Sequence, residues 1–195
     1  MITLIIGHRG SGKTALLKRL EHYSKNGLGP AVLIDLDMVI EKGEGTPITR
    51  IFSEKGEQYF RELEKKYLTE IVAECSKQDK RVFIAVGAGY EGPPPPDTHC
   101  LWVRRATDGL GRIFLDRPRL ESGLPPREEY FKRHAEREPR YHQWADDVLF
   151  VPEGTDGPSI HEQKYLTGDI RDIGGTLTLL PKHLEKHFKT LENKL

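Results

Sequence analysis

Cysteine is scarce. Cys75 and Cys100 are the only two in 195 residues, they lie far apart, and they form no C-x-x-C pair. That excludes a disulfide framework and a zinc ribbon and leaves two reduced, partly buried thiols as the expectation. Net charge is also missing: thirty Lys+Arg balance thirty Asp+Glu, so no bulk field argues for nucleic acid or a membrane surface as partner. No apolar run approaches the roughly 20 residues that span a bilayer. There is no internal repeat, and no basic segment precedes the first apolar run. The expectation is a cytoplasmic protein, a monomer, whose partner is a small molecule. With 195 residues the chain makes one domain, or one domain with an appendage, and is long enough to bury a substantial core.

Glycine, by contrast, is placed with purpose near the start. A short apolar run at residues 2–6, rich in β-branched side chains, reads as a buried parallel strand. It breaks into Gly7-His8-Arg9-Gly10-Ser11-Gly12-Lys13-Thr14, and a helical pattern follows. The spacing G-x-x-x-x-G-K-T is that of a phosphate-binding loop. Its glycines allow successive amide N–H groups to point into one concavity at the positive end of a helix, and such a concavity attracts an anion. Lys13 adds a mobile charge near the β- and γ-phosphates, and the Thr14 hydroxyl is placed to ligate Mg²⁺. The candidate nucleotide contacts are therefore Gly7, Arg9, Gly10, Ser11, Gly12, Lys13 and Thr14.

A second buried strand at 31–34 ends in Asp35-Leu36-Asp37, two carboxylates where open α/β sheets place their ligands. They either face that crevice or cap the helix that follows. Apolar residues at 60, 63, 67, 68, 71 and 72 mark a helix, continuing to about residue 78, that packs on one face. Arg61 and Glu64 are neighbours on it, either an oriented guanidinium or a solvated pair. The third strand, 81–86, runs into Gly87-Ala88-Gly89, small residues that allow a ligand close to the backbone or simply form a tight turn. Four prolines, 93–96, then make a stiff connection to a fourth strand at 99–103.

A short helix at 107–115 precedes a loop at 116–126 that carries Arg117 and Arg119, either a lid or an ordinary exposed loop. Residues 127–144 are helical in pattern, with Pro139 expected to bend or bound the helix. Residues 147–151 form a fifth strand. The division expected is a phosphate-loop domain over 1–151 and an extension over 152–195. The extension closes with an amphipathic helix in which His183 and His187 have metal-compatible spacing but no third ligand.

The sequence D-x-D-x-x-I-E followed by G-x-x-I-x-x-I-F-x-x-x-G-E-x-x-F-R-x-x-E resembles the shikimate kinase family over about residues 2–151. Asp35, Asp37, Ile40, Glu41, Gly45, Ile48, Ile51, Phe52, Gly56, Glu57, Phe60, Arg61 and Glu64 carry the likeness. The resemblance implies an α/β three-layer phosphate-loop kinase with a central five-stranded parallel sheet, helices on both faces, and a lid. It also implies ATP and Mg²⁺, with phosphorylation of the 3-hydroxyl of shikimate. By the same likeness Asp37 binds the ring hydroxyls and serves as, or orients for, the base, and Asp35 sits with Thr14 beside the metal. Arg61 and Arg137 resemble carboxylate-binding arginines oriented by Glu64. Arg117 is similar to a lid arginine on the ATP phosphates, and Arg112 to an adenine-stacking one. Gly87, Ala88 and Gly89 stand where the family has three glycines. Other expectations are a kinase of another small anionic hydroxy acid such as gluconate, or a non-catalytic nucleotide-binding regulatory homologue.

Overall fold

Apolar runs bounded by glycine, proline or acid make short strands; those at 2–6 and 81–85 are largely buried, whereas the run at 31–35, expected to be buried, lies at the sheet's edge and is only half-buried. In the computed structural model the described residues are 1–25, 30–105 and 123–151. The order is β1 (Ile2–Ile6), α1 (Lys13–Lys25), β2 (Ala31–Asp35), α2 (Leu36–Glu44), α3 (Ile48–Cys75), β3 (Arg81–Ala85), β4 (Thr98–Arg105), α4 (Pro126–Trp144) and β5 (Asp147–Val151). Every strand pairing is parallel, in the spatial order β2-β3-β1-β4-β5. This is the five-stranded α/β architecture expected from the sequence.

Period-two alternation divides the core between the two faces of the sheet. Leu4, Ile6, Val82, Ile84 and Trp102 face α2, α3 and α4, whereas Ile5, Phe83, Ala85, Leu101 and Leu149 face α1. Trp102 and Phe83 are each buried to 1% exposure, one on each side of the sheet. The two cysteines are free and buried. No helix among the described residues is long and apolar enough to cross a membrane.

Two helices differ from the sequence pattern. α3 is interrupted at Gly56, whose φ of 83° and ψ of 171° are not helical, and it ends at Cys75 rather than near residue 78. Glycine alone takes that torsion without strain, so the apolar stripe continues through a break that periodicity does not register. α4 runs on through Pro139; the missing proline N–H removes one helical bond, which does not end the helix here. The expected helix at 107–115, residues 116–122 of the expected lid and the whole extension 152–195, with His183 and His187, lie outside the described residues.

Leu68 on α3 is fully buried against the sheet. Leu68→Ala is expected to lower stability by about 2–5 kcal/mol, read as a fall in the urea midpoint with an unchanged slope.

Candidate active site

Because α1 begins at Lys13, directly after the glycine loop, the loop amides stand at a helix N-terminus, where partial positive charge collects. Gly10 and Gly12 take φ of 77° and 103°, the left-handed region that keeps such a loop concave. Lys13 folds back over it, its Nζ donating to the carbonyls of Gly7 at 2.8 Å and His8 at 3.0 Å. Gly7 and Ser11 are buried beneath the loop, while Arg9, Gly10, Gly12, Lys13 and Thr14 line an open cavity of about 520 Å³.

The other walls of this cavity come from β2, α3, the turn after β3, and α4. Asp35 does both things the sequence allowed. Its Oδ1 caps α2 by accepting from the Asp37 N–H at 3.2 Å, and its Oδ2 accepts from the Thr14 hydroxyl at 3.0 Å. Asp37 faces the cavity. Arg61 is held from two sides: Nη1 donates to Glu64 Oε2 at 2.5 Å and Nη2 to Glu57 Oε1 at 2.7 Å. Its guanidinium also lies over the rings of Phe60 and Phe52, at 5.4 and 5.9 Å, contacts that favour a cation. The solvated-pair reading of Arg61 and Glu64 is thereby set aside, since their side chains are 12% and 0% exposed.

Gly87 and Gly89 let Glu64 and Arg61 lie close against the backbone. A Cβ on Gly87 would run into Glu64 Oε1, and one on Gly89 into the Arg61 guanidinium. Ala88 between them has no left-handed torsion, so the backbone there accepts a side chain. Its carbonyl accepts from the Tyr141 hydroxyl at 2.6 Å. Arg137, one turn before Tyr141 on α4, is 6% exposed and lines the cavity. No hydrogen bond or ion pair holds its guanidinium among the described residues.

The electrostatics follow from crowding. Asp37 is open to the cavity's water yet ringed by protein, and that desolvation, with the Asp35 carboxylate beside it, raises its pKa above the usual carboxylate value despite Lys13 and Arg61. Burial pushes Glu64 up to about 7, outweighing the attraction of Arg61. Desolvation lowers Arg137, and the nearby Arg133 and Arg61 charges add to that, while Tyr141 and Glu57 oppose it. A buried cation without a direct ion pair among the described residues is one that an anionic ligand would stabilise.

Thr14, Asp35, Asp37, Arg61, Glu64, Gly87, Ala88, Gly89 and Arg137, all proposed from the sequence, converge on this one cavity with the phosphate loop. Arg112 and Arg117 lie outside the described residues. Four contributors were given no site role, although Phe52, Glu57 and Phe60 are among the residues that carry the likeness. Glu57 stands four residues before Arg61, the same helical-neighbour argument that marked Glu64. Phe52 and Phe60 looked like core residues, and Tyr141 lies one helical turn after Arg137.

An anion cradle that shares one cavity with a guanidinium not engaged in an ion pair among the described residues is the arrangement of a phosphate-loop kinase acting on a small molecule. A family model for shikimate kinase matches residues 9–91, from inside the phosphate loop to just beyond Gly89. The shikimate kinase of Chlorobaculum tepidum is 33% identical over 210 aligned positions, covering 96% of this chain and 92% of that protein. The chain belongs to the shikimate kinase family. The bifunctional shikimate kinase/3-dehydroquinate synthase of Thermotoga maritima is 27% identical over 89% of this chain, which spans 37% of that longer protein. Among solved structures, shikimate kinase from Acinetobacter baumannii in complex with shikimate matches with a TM-score of 0.63 at 24% identity, covering 85% of this chain and 90% of that one. That last likeness is one of fold.

Glu64 also predicts a pH dependence. Its folded pKa of about 7 lies above the unfolded value of 4.5, so the native state binds more protons than the unfolded chain between those values. Stability contributed by the protonated form is complete below the unfolded pKa and is lost as pH rises through the folded one. Urea denaturation from pH 4.5 to 7.5 should show this decline, and Glu64→Gln should flatten it.

Proposed function

We propose that this protein transfers the γ-phosphoryl group of ATP to the 3-hydroxyl of shikimate. The observation that carries the reading is Arg137, a buried guanidinium that faces the same cavity as the phosphate loop and is held by no hydrogen bond or ion pair among the described residues. A carboxylate acceptor supplies the missing charge, and the planar fork suits its two oxygens. Arg61, already fixed by Glu57 and Glu64, gives the carboxylate a second donor. Gly87 and Gly89 bring the ring close to the backbone.

In this reading Lys13 leaves the Gly7 and His8 carbonyls for the β- and γ-phosphates, which the loop amides cradle. Asp37 accepts the proton of the 3-hydroxyl as its oxygen bonds to the γ-phosphorus. The bond from that phosphorus to the β–γ bridging oxygen breaks, and ADP leaves. A carboxylate with a pKa raised toward neutrality is a better base than an ordinary one. Arg117 is assigned to the phosphates and Arg112 to the adenine.

Thr14 and Asp35 present hydroxyl and carboxylate oxygens side by side, a donor set that fits Mg²⁺. That ion keeps several waters and leans on substrate phosphates rather than on a full protein cage. The ion would neutralise phosphate charge.

Purified protein given ATP and a panel of hydroxy acids should release ADP with shikimate; release with gluconate instead would overturn the acceptor assignment, and none with any acid would favour a nucleotide-binding regulatory protein. Lys13→Ala is expected to abolish turnover. Asp37→Asn should cut kcat by about 10²-fold or more with ATP binding, read by calorimetry, nearly intact. Arg137→Ala should raise the shikimate KM by about tenfold or more, the loss of a charge-assisted hydrogen bond.

A further inference from the structure

The Tyr141 hydroxyl sits where the two halves of the site meet. β1 and β3 are neighbours in the sheet, so the phosphate loop that follows β1 and the turn that follows β3 leave the same edge side by side. Tyr141, 3% exposed on α4, reaches both. Its hydroxyl lies 2.6 Å from the Ala88 carbonyl and 3.2 Å from that of Gly7. Its ring stands edge-on to His8 of the phosphate loop at 4.9 Å, and His8 stacks on His134 of α4 at 4.4 Å. One helical face, carrying His134, Arg137 and Tyr141, is therefore pressed against both loops.

A phenol has one proton to donate. Here two carbonyls compete for it, and the shorter contact places it on Ala88. Gly7 has another donor meanwhile, since Lys13 Nζ lies 2.8 Å from the same oxygen. If Lys13 turns to a nucleotide phosphate, the Gly7 carbonyl loses that donor inside the protein, where an unmet acceptor is costly. The Tyr141 hydroxyl, 3.2 Å from that oxygen, is in place to replace it. Its proton then swings to Gly7 and leaves Ala88. The Ala88 peptide adjoins Gly89, which packs on the Arg61 guanidinium, and Tyr141 shares its helix face with Arg137.

We propose that Tyr141 is a positioning residue that couples nucleotide occupancy to the acceptor pocket, its hydroxyl proton passing from the Ala88 carbonyl to the Gly7 carbonyl when Lys13 engages phosphate. The inference rests on the kinase reading of the phosphate loop. It does not depend on which acceptor is used. Any such coupling is reciprocal, so an acceptor that rearranges the Ala88 turn alters nucleotide affinity by the same factor.

Ala88-Gly89 is the only Ala-Gly pair in the sequence, so protein labelled with ¹³C-carbonyl alanine and ¹⁵N glycine gives one carbonyl-to-amide NMR signal, that of Ala88. With ADP and Mg²⁺ added to the full chain, the Ala88 carbonyl carbon should move upfield as its hydrogen bond is lost. Tyr141→Phe keeps the ring and removes the proton: its Ala88 signal should start upfield and stay there when ADP is added. Its kcat should fall about twofold to tenfold, with the ATP KM within about twofold of the parent. A parent signal that ignores ADP overturns the coupling whether or not the variant folds, as does a variant that responds to ADP as the parent does. The NMR response needs no acceptor. A parent that responds to ADP but shows no shikimate-dependent turnover supports the coupling and overturns only the acceptor assignment.

Discussion

Parallel pairing of β1 with β3 is the constraint from which the site follows. Ile2 to Ile5 stand opposite Val82 to Ala85 in register, and the Val86 N–H extends the ladder by donating to the Ile5 carbonyl at 3.0 Å. Neighbouring strands are about 4.8 Å apart, so the two turns that leave this edge begin almost in contact. One holds an anion by its backbone and the other admits a ligand between two glycines. Group transfer requires reacting atoms about 3–3.5 Å apart, and the sheet brings the two ligand positions together before any side chain is considered.

Charge then separates the roles of the two guanidiniums. Arg61 is neutralised by Glu64 beneath it and by Glu57 beside it, and Glu57 Oε2 also lies 3.4 Å from Arg133 Nη2. That chain of alternating charges ties α3 to α4 across the mouth of the cavity. It orients Arg61 and leaves little net charge there. Arg137 has no such support among the described residues and is desolvated beside two other cations. The first guanidinium supplies direction and the second supplies charge. An anionic ligand gains from both, while a neutral sugar would leave Arg137 uncompensated.

The sequence made most of this visible where one residue type has one physical use. The G-x-x-x-x-G-K-T spacing located the anion cradle, and strand-length apolar runs placed all five strands. The acids after β2 were found, although capping and ligand-facing readings looked like alternatives and Asp35 serves both. Features that depend on tertiary neighbours were less legible. Nothing local in Gly56 says that α3 breaks there, because the apolar stripe resumes on the far side. Nothing in Phe52 and Phe60 separates a core aromatic from one that lies against Arg61. Tyr141 shows its role only once Gly7 and Ala88, more than fifty residues away in sequence, are seen to share its hydroxyl.

Ala88 shows why the count of glycines in that turn is less informative than their positions. A glycine is obligatory where the backbone is left-handed or where a Cβ has no room. Gly87 and Gly89 approach the second condition: the ends of the Glu64 and Arg61 side chains occupy the space a Cβ would take and would have to be displaced. Ala88 meets neither on the torsional side, having no left-handed φ, and its carbonyl engages Tyr141. The methyl at 88 therefore leaves intact the close approach of both flanking glycines to the Glu64–Arg61 pair. An alanine at 87 or 89 would strike that pair directly, so the features that make this turn an acceptor site reside at its two ends.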